Sequence, residues 1–533
     1  MHRRQFLQSA GLVSIASLTS VQAEPKQTSS SKTDTIHSTG SWFDPSRVWQ
    51  FIDLWHFDHF DQLQLRQGQA EWQPEATFNE GPIGTLSAWP TVYRDAASGL
   101  WRMLYSADWK PFQLAIAESE DGRNWRPSPQ PDIQPAGEKI APHHLFTLPG
   151  GSGGGVYLDP AADDGFPFKV FVHRQGDPVY QRAIKDPNHR WHTLAKKVGS
   201  QRYINEEFTL VSKDGLHWEE RTDLTWSLPD WHPEPPLFGF YNRHAQQHAM
   251  TVRPGWGDRR QCLQTTHDFK NWSGPRLLLQ PDFQDRELVE FYGMPVFPYG
   301  DGYVGLLWIF HCESTEPTRG FNRFTGPLDC QLAFSHGGDR FDRGLREPFI
   351  TAGQPDTPMS GAIQPSCLVE TEDEIRIYSA ASRVHHGRGR EARRRGLENV
   401  ASITLHTLRK DGLTFIETAG DQGRFITKPL VLLAPDLTMN ASALQGEIRF
   451  QLTDMQSRPV EGFTFDESIP LSTDDSLNVQ LRWKSARLDD VIGKIVRLEV
   501  RLQHARIYAI RGEFHFIDAQ DRSLIEDGQP IVT

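Results

Sequence analysis

The sequence predicts an all-β chain, a five-bladed β-propeller followed by a C-terminal β-sandwich, and three observations lead there. A turn motif recurs five times along the 533 residues. The composition sets 43 Gly and 36 Pro beside 31 Phe and 16 Trp, as many short aromatic strands separated by turns require. After Gly423 the pattern changes to strict period-two alternation.

The motif reads Ser119-Glu120-Asp121-Gly122-Arg123-Asn124-Trp125, Ser212-Lys213-Asp214-Gly215-Leu216-His217-Trp218, Thr266-His267-Asp268-Phe269-Lys270-Asn271-Trp272, Ser335-His336-Gly337-Gly338-Asp339-Arg340-Phe341 and Arg409-Lys410-Asp411-Gly412-Leu413-Thr414-Phe415. Each copy follows an apolar run, such as Leu114-Ala115-Ile116-Ala117, so the Asp-Gly pair is a hairpin turn and the aromatic residue begins the next strand. A strand pair stands upstream of each, for example Thr91-Val92-Tyr93 with Trp101-Arg102-Met103-Leu104-Tyr105. These are strands one and two of a blade, and the motif is the turn between strands three and four. The propeller is expected over residues 43–422. Alternating runs such as Val496-Arg497-Leu498-Glu499-Val500-Arg501-Leu502 place the sandwich at 423–533, with no helix signal.

The N-terminus, Met1-His2-Arg3-Arg4-Gln5-Phe6-Leu7 followed by a weakly apolar stretch and Val21-Gln22-Ala23, has the order of a twin-arginine signal peptide over 1–23. A Ser/Thr/Lys-rich linker follows at 24–42. The expected location is therefore periplasmic or secreted. A formal net charge of −12 argues against a nucleic-acid partner, and no long apolar run in the body suggests an integral membrane segment. Four Cys show no ligand spacing, so neither a metal nor a cofactor is expected; export would permit one or two disulfides.

In an antiparallel blade the start of strand one and the end of strand two lie on one face, at the mouth of the central funnel. By that rule the strand-one starts offer Glu80 or Trp89, His143 and His144, Arg243 and His244, Glu290, and Gln364. The strand-two ends offer Asp108, His173 with Arg174, His311 with Glu313, and Arg383 with His385. Two carboxyl groups across a sugar ring are what glycoside hydrolysis needs, one protonated and one ionised. Glu290 is the preferred acid, because it precedes the apolar run Phe291-Tyr292-Gly293-Met294, and Glu80 or Asp108 is the second carboxylate. His143, His144, Arg174, Trp89, His311, Glu313, Gln364 and Arg383 are the candidate substrate-binding residues of a poly- or oligosaccharide partner. Trp89, Trp109, Trp231, Trp256 and Trp308 are available for stacking on sugars.

This pattern resembles the superfamily containing glycoside hydrolase families 32 and 43, most closely an exported bacterial branch labelled family-32-like. Phe78-Asn79-Glu80-Gly81-Pro82-Ile83-Gly84 is similar to the invertase-type nucleophile motif Trp-Met-Asn-Asp-Pro-Asn-Gly, so the resemblance implies Glu80 at the place of the nucleophile. Leu158-Asp159-Pro160 is a loose counterpart of the family's Arg-Asp-Pro, and Glu290-Phe291 of its Glu-Cys, one blade late. Fructose specificity is not implied. The loop His385-His386-Gly387-Arg388-Gly389-Arg390-Glu391-Ala392-Arg393-Arg394-Arg395 is a solvated charge run or a clamp for a uronic or sulfated glycan. The competing readings are a non-catalytic carbohydrate-binding propeller, a sialidase-like enzyme, and a lyase that would use His144, Arg174, Tyr292 and Arg383.

Overall fold

The structure is a computed structural model that describes residues 37–38, 47–79, 89–109, 112–133, 141–175, 177–189, 191–198, 205–226, 234–254, 258–313, 324–397 and 400–529. The signal and linker expected over 1–42 fall almost wholly outside the described residues. Nearly all of the regular structure is strand.

Five antiparallel units follow one another. The first is Thr91–Arg94, Trp101–Trp109 and Phe112–Ser119, edged by Arg126–Pro127 and His144–Leu148. The second is Gly151–Gly153 with Tyr157–Leu158, then Phe168–Gln175, Asn205–Ser212 and Trp218–Arg221. The third is Glu234–Asn242, Gln247–Arg253, Gln261–Thr266 and Arg276–Leu279. The fourth is Val289–Gly293 with Val296–Tyr299, then Gly302–His311, Leu328–Ser335 and Pro348–Ile350. The fifth is Ala362–Glu370, Glu374–Ser382 and Ala401–Arg409, and its outer strand is Glu71–Trp72, brought from far upstream. The first strand of each unit touches the unit before it, and that of the fifth touches that of the first, so the units form a closed ring.

Stacking sheet against sheet buries both faces of each inner strand. This is why Gly302–His311 reads Gly-Tyr-Val-Gly-Leu-Leu-Trp-Ile-Phe-His, apolar almost throughout, rather than alternating. Where the first strands converge, backbones come close: a Cβ on Gly154 would lie 1.9 Å from the Leu237 carbonyl oxygen. The ring axis holds a cavity of about 50 Å³ lined by first-strand residues of all five units, among them Thr91, Tyr157, Tyr241, Pro298 and Cys367. That is room for a few waters and too little for a sugar ring.

The motif does form the turn between strands three and four in units one to four. In the first, the amides of Arg123 and Asn124 donate to Asp121 Oδ1 at 2.8 Å each, and that of Gly122 donates to Ser119 Oγ at 3.0 Å. The third repeats this around Asp268 and Thr266, with Phe269 at φ +57° where the other copies carry glycine. The Trp272 indole folds back to donate to the Phe269 carbonyl at 3.1 Å. The fifth copy is different. Asp411 is 1% exposed, accepts from Gln50 and Asn440 at 3.0 and 2.8 Å and pairs with Arg511, so the turn leads out of the ring.

Beyond it, eleven strands join in one continuous pairing around a single apolar core that includes Trp49, Phe57, Phe425, Phe450, Trp483 and Ile510. Here the structure differs from the expected boundaries. Arg47–Gln50, Phe57–Asp61 and Leu63–Gln67, expected inside the propeller, pair with Arg506–Phe516, Gln422–Thr427 and Thr414–Thr418. Two of these strands carry Trp49 and Phe57 into the C-terminal core, which accounts for the pairing. A helix at Ala519–Glu526, not anticipated, starts where Asp518 accepts the amides of Gln520 and Asp521.

All four cysteines are free thiols, and no disulfide forms. Burial pushes Cys367 and Cys312 up to about 12 and Cys262 up to about 11. No helix among the described residues is long and apolar enough to cross a membrane, and among them no three His, Cys, Asp or Glu side chains are grouped to hold a metal.

Candidate functional site

The strand registers define the face where first strands start and second strands end. Ser152 stands opposite His173, Glu234 opposite Arg253, Glu290 opposite Phe310, and Ala362 opposite Ser382. Units three, four and five meet there in one cluster.

Glu290, in Val289–Gly293, pairs with Arg259 from the loop before the third strand of unit three. The Phe291 amide donates to the Arg259 carbonyl at 2.9 Å, and Gln261 Nε2 donates to the Phe291 carbonyl at 2.9 Å, so backbone fixes the pair. The Arg259 guanidinium lies 5.6 Å from the Tyr292 ring, 5.5 Å from Phe310 and 5.6 Å from Phe324. Arg253, at the end of Gln247–Arg253, covers the Tyr292 ring at 4.3 Å. One of its Nη groups donates to the Pro235 carbonyl and stands 3.4 Å from Glu234. His386 packs edge-on against Tyr292 at 4.6 Å and Phe310 at 5.0 Å.

Electrostatics follow from this packing. Burial first, then the charges of Arg259 and Arg253, push the His386 imidazole down to about 3, so it is neutral at neutral pH. Burial also draws Arg253 below its ordinary value. For Arg259 burial acts the same way, but Tyr292 and Glu290 more than offset it and its pKa rises. The Cys312 thiol rises through burial and then through the Glu290 charge.

Among the sequence candidates, Glu290 is in this cluster, but its neighbour is a guanidinium rather than the apolar surroundings expected. Glu80 lies outside the described residues; Asn79 just before it donates to the Ala401 carbonyl at 3.2 Å, on unit five. Asp108 is in Trp101–Trp109, with its side chain outside the described residues. Trp89 is buried rather than open to a sugar: it lies 6.2 Å from Trp308 and donates to Gln364 Oε1 at 3.3 Å, so Trp89 and Gln364 close the ring centre. Trp308 is likewise buried; Trp231 and Trp256, and the Trp109 side chain, lie outside the described residues.

His143 and His144 are not at the start of unit two. His144 begins an outer strand of unit one, with the His143 ring 4.8 Å from it. Arg174 is held by Glu206 and Glu220 at 2.9 and 3.0 Å and covers Phe208, on the third and fourth strands of its own unit. His311 pairs with Asp329 at 2.8 Å within unit four, and Glu313, just beyond its second strand, pairs at 3.1 Å with His385 from the loop after the second strand of unit five. Arg383 is exposed, its amide donating to the Val400 carbonyl. Part of the basic loop is a short helix, Gly389–Arg394.

Arg243 and His244 lie at the opposite end, in the turn joining the first two strands of unit three, because Glu234–Asn242 is the first strand and Gln247–Arg253 the second. Two prolines and a glycine in Glu234-Pro-Pro-Leu-Phe-Gly-Phe-Tyr-Asn hid that strand. With the register corrected, the same rule would have named Glu234 and Arg253. Asp159, aligned with the family's Arg-Asp-Pro, also lies away from this face, next to Lys169 and His248.

No family profile matches the chain, and no curated protein matches it. Solved structures that it resembles include an N-acetylgalactosamine deacetylase from F. plautii (12% identity, TM-score 0.40, 66% of this chain and 97% of that one). Others are a xylan β-1,4-xylosidase from Bacillus halodurans (11%, 0.36, 83% and 99%) and a family 32 β-fructofuranosidase from Bombyx mori (11%, 0.33, 77% and 89%). At these scores the likenesses carry no weight for function, which rests on the chain's own residues.

Proposed function

We propose that the ring is a five-bladed β-propeller braced by a β-sandwich, and that the chain is an exported glycoside hydrolase cleaving a poly- or oligosaccharide at the face where Glu290 lies. The observation that carries this reading is a part-buried carboxylate held by Arg259 beside Tyr292 and Arg253, at the end of the ring where the first strands start. Glu290 is the bet for one member of the carboxyl pair. Glu234, across Arg253 and Arg259, joins Glu80 and Asp108 as a candidate for the other. One carboxyl would protonate the departing glycosidic oxygen while the other attacks the sugar or takes a proton from water.

Reducing-end release from neutral, uronic and sulfated glycans tests this, with Glu290→Gln run beside the parent. A loss of about 10²–10⁴ in the variant is expected if the carboxylate transfers a proton or attacks. Cleavage that survives the substitution unchanged would remove Glu290 from the chemistry.

A second reading is favoured by one observation, Tyr292 set between two guanidiniums and a neutral His386. That grouping also suits β-elimination from a uronate, with arginine neutralising the sugar carboxylate and Tyr or His taking the adjacent proton. Ultraviolet absorbance by an unsaturated product would identify elimination, and its absence during chain cleavage would leave hydrolysis.

A further inference from the structure

We infer that Arg253 and Arg259 form an anion subsite that receives the carboxylate or sulfate group of an acidic sugar. The inference rests on the reading of this face as a glycan site and deepens it by naming the substrate class.

Charge is the first ground. Arg253 is 5% exposed, so its guanidinium lies inside the protein. The part-buried carboxylate nearby, Glu290, is engaged by Arg259. Glu234 reaches Arg253 from a side chain that is 64% exposed, at 3.4 Å and on one nitrogen. One buried and one part-buried guanidinium therefore share one part-buried carboxylate among the described residues, and burying an uncompensated charge is costly.

Unmet hydrogen bonding is the second ground and is independent of the first. Arg253 Nε and Nη1, Arg259 Nε and His386 Nε2 are all buried with no hydrogen-bond partner among the described residues. Four such atoms in one cluster depart from the usual rule that buried polar groups are paired. Arg253 Nε and Nη1 each keep an N–H to offer, while Nη2 is taken by the Pro235 carbonyl and Glu234, so oxygens of a carboxylate or sulfate would meet them as single charge-assisted hydrogen bonds. Neutral His386 can add an N–H without a further positive charge.

The third ground is the wall. Tyr292, Phe310 and Phe324 surround Arg259, and Tyr292 lies under Arg253, so the guanidiniums act in an apolar setting where an anion is held more strongly than in water. A bound anion would satisfy Arg253 without taking Arg259 from Glu290, leaving the carboxylate in place beside the sugar.

Calorimetric binding of oligogalacturonate, a sulfated galacto-oligosaccharide and a neutral galacto-oligosaccharide to the full mature chain tests this, with Arg253→Met and Arg253→Lys in parallel. The parent should bind at least one acidic ligand about tenfold or more tightly than the neutral one, the scale of a charge-assisted hydrogen bond. Which acidic ligand wins separates carboxylate from sulfate. Arg253→Met should lose that preference, its affinity for the acidic ligand falling to about that for the neutral one, and Arg253→Lys should keep part of it. If Arg253→Met does not fold, Arg253→Lys and the heat stability of the parent in galacturonate or sulfate supply the readout, with stabilisation expected for the parent and less for the variant. Equal binding of neutral and acidic ligands by the parent would overturn the anion subsite and leave the glycan site standing. Acidic preference undiminished in a folded Arg253→Met would overturn the assignment to this arginine. Failure to bind any glycan would overturn both readings.

Discussion

Two buried charged clusters in the ring invite comparison. On one face of units two and three, Lys169 is 0% exposed, yet its three donors all find acceptors: Asp159 at 2.8 Å, Asp164 at 3.2 Å and the Phe166 carbonyl at 2.5 Å. His248 adds to it, 3.6 Å from Asp159 and 2.9 Å from the Tyr157 hydroxyl. On the other face, Arg253 is nearly as buried, but two of its nitrogens have no partner among the described residues. Burial alone does not distinguish a structural charge from a functional one. Hydrogen-bond satisfaction differs between the two: all three Lys169 donors have acceptors, and Arg253 Nε and Nη1 have none among the described residues.

The largest test of that contrast is stability. Lys169→Met should cost about 3–5 kcal/mol, because it leaves Asp159 buried and unpaired. Arg253→Met removes a charge that lacks a buried counter-charge, and should cost far less or stabilise; denaturant midpoints of the two variants read the difference. Equal losses would mean that Arg253 is a structural charge too. Next, Asp411→Ala should cost on the order of 3 kcal/mol, since it removes a buried acceptor shared by Arg511, Gln50 and Asn440 where the ring meets the C-terminal strands.

A pH series sharpens the comparison further. His386 falls to about 3 and His406 to about 4, both by burial, from an ordinary 6.5. The unfolded chain takes up these protons first as pH falls, so the stability they allow is full above pH 6.5 and is lost progressively down to about 4 for His406 and about 3 for His386. Each should contribute a slope of up to about 1.4 kcal/mol per pH unit in that window. His406→Gln should flatten the acid limb of urea midpoints measured across it. Burial lowers His248 as well, but Asp159 pulls the other way. The smallest effect belongs to a surface turn: Asp268→Ala should cost about 1 kcal/mol, the scale of a lost cap, against the larger loss at buried Asp411.

Legibility in the sequence followed the range of the forces involved. The surface turns are legible because their hydrogen bonds stay within a few positions of chain: Ser or Thr accepts the amide of a residue at positive φ in all four, and an Asp accepts two more amides in the first three. The fifth copy keeps the Asp-Gly pair but has Arg409 in place of Ser or Thr, and the partners of Asp411 are as distant as Gln50 and Arg511, which no short stretch of sequence reveals. In the candidate site, Glu290 was found from the rule that strand-one starts share a face. Arg253 and Glu234 were missed by the same rule, because a proline-bearing strand shifted the register of unit three. Arg259 and His386 lie in loops with no period to mark them, and the charge run around His386 drew attention to its arginines instead.

By itself the sequence determined the all-β class, the hairpin turns at the repeated motif and the apolar inner strands, since turn chemistry and strand pattern are local. The tertiary structure alone decided that Glu71–Trp72 edges the fifth unit, that residues 47–67 join the C-terminal strands, and that Arg253, Arg259, Glu290, Tyr292 and His386 meet at one face. Those outcomes depend on which distant surfaces can bury one another and which buried charges are left to be satisfied, and neither is written in any short stretch of chain.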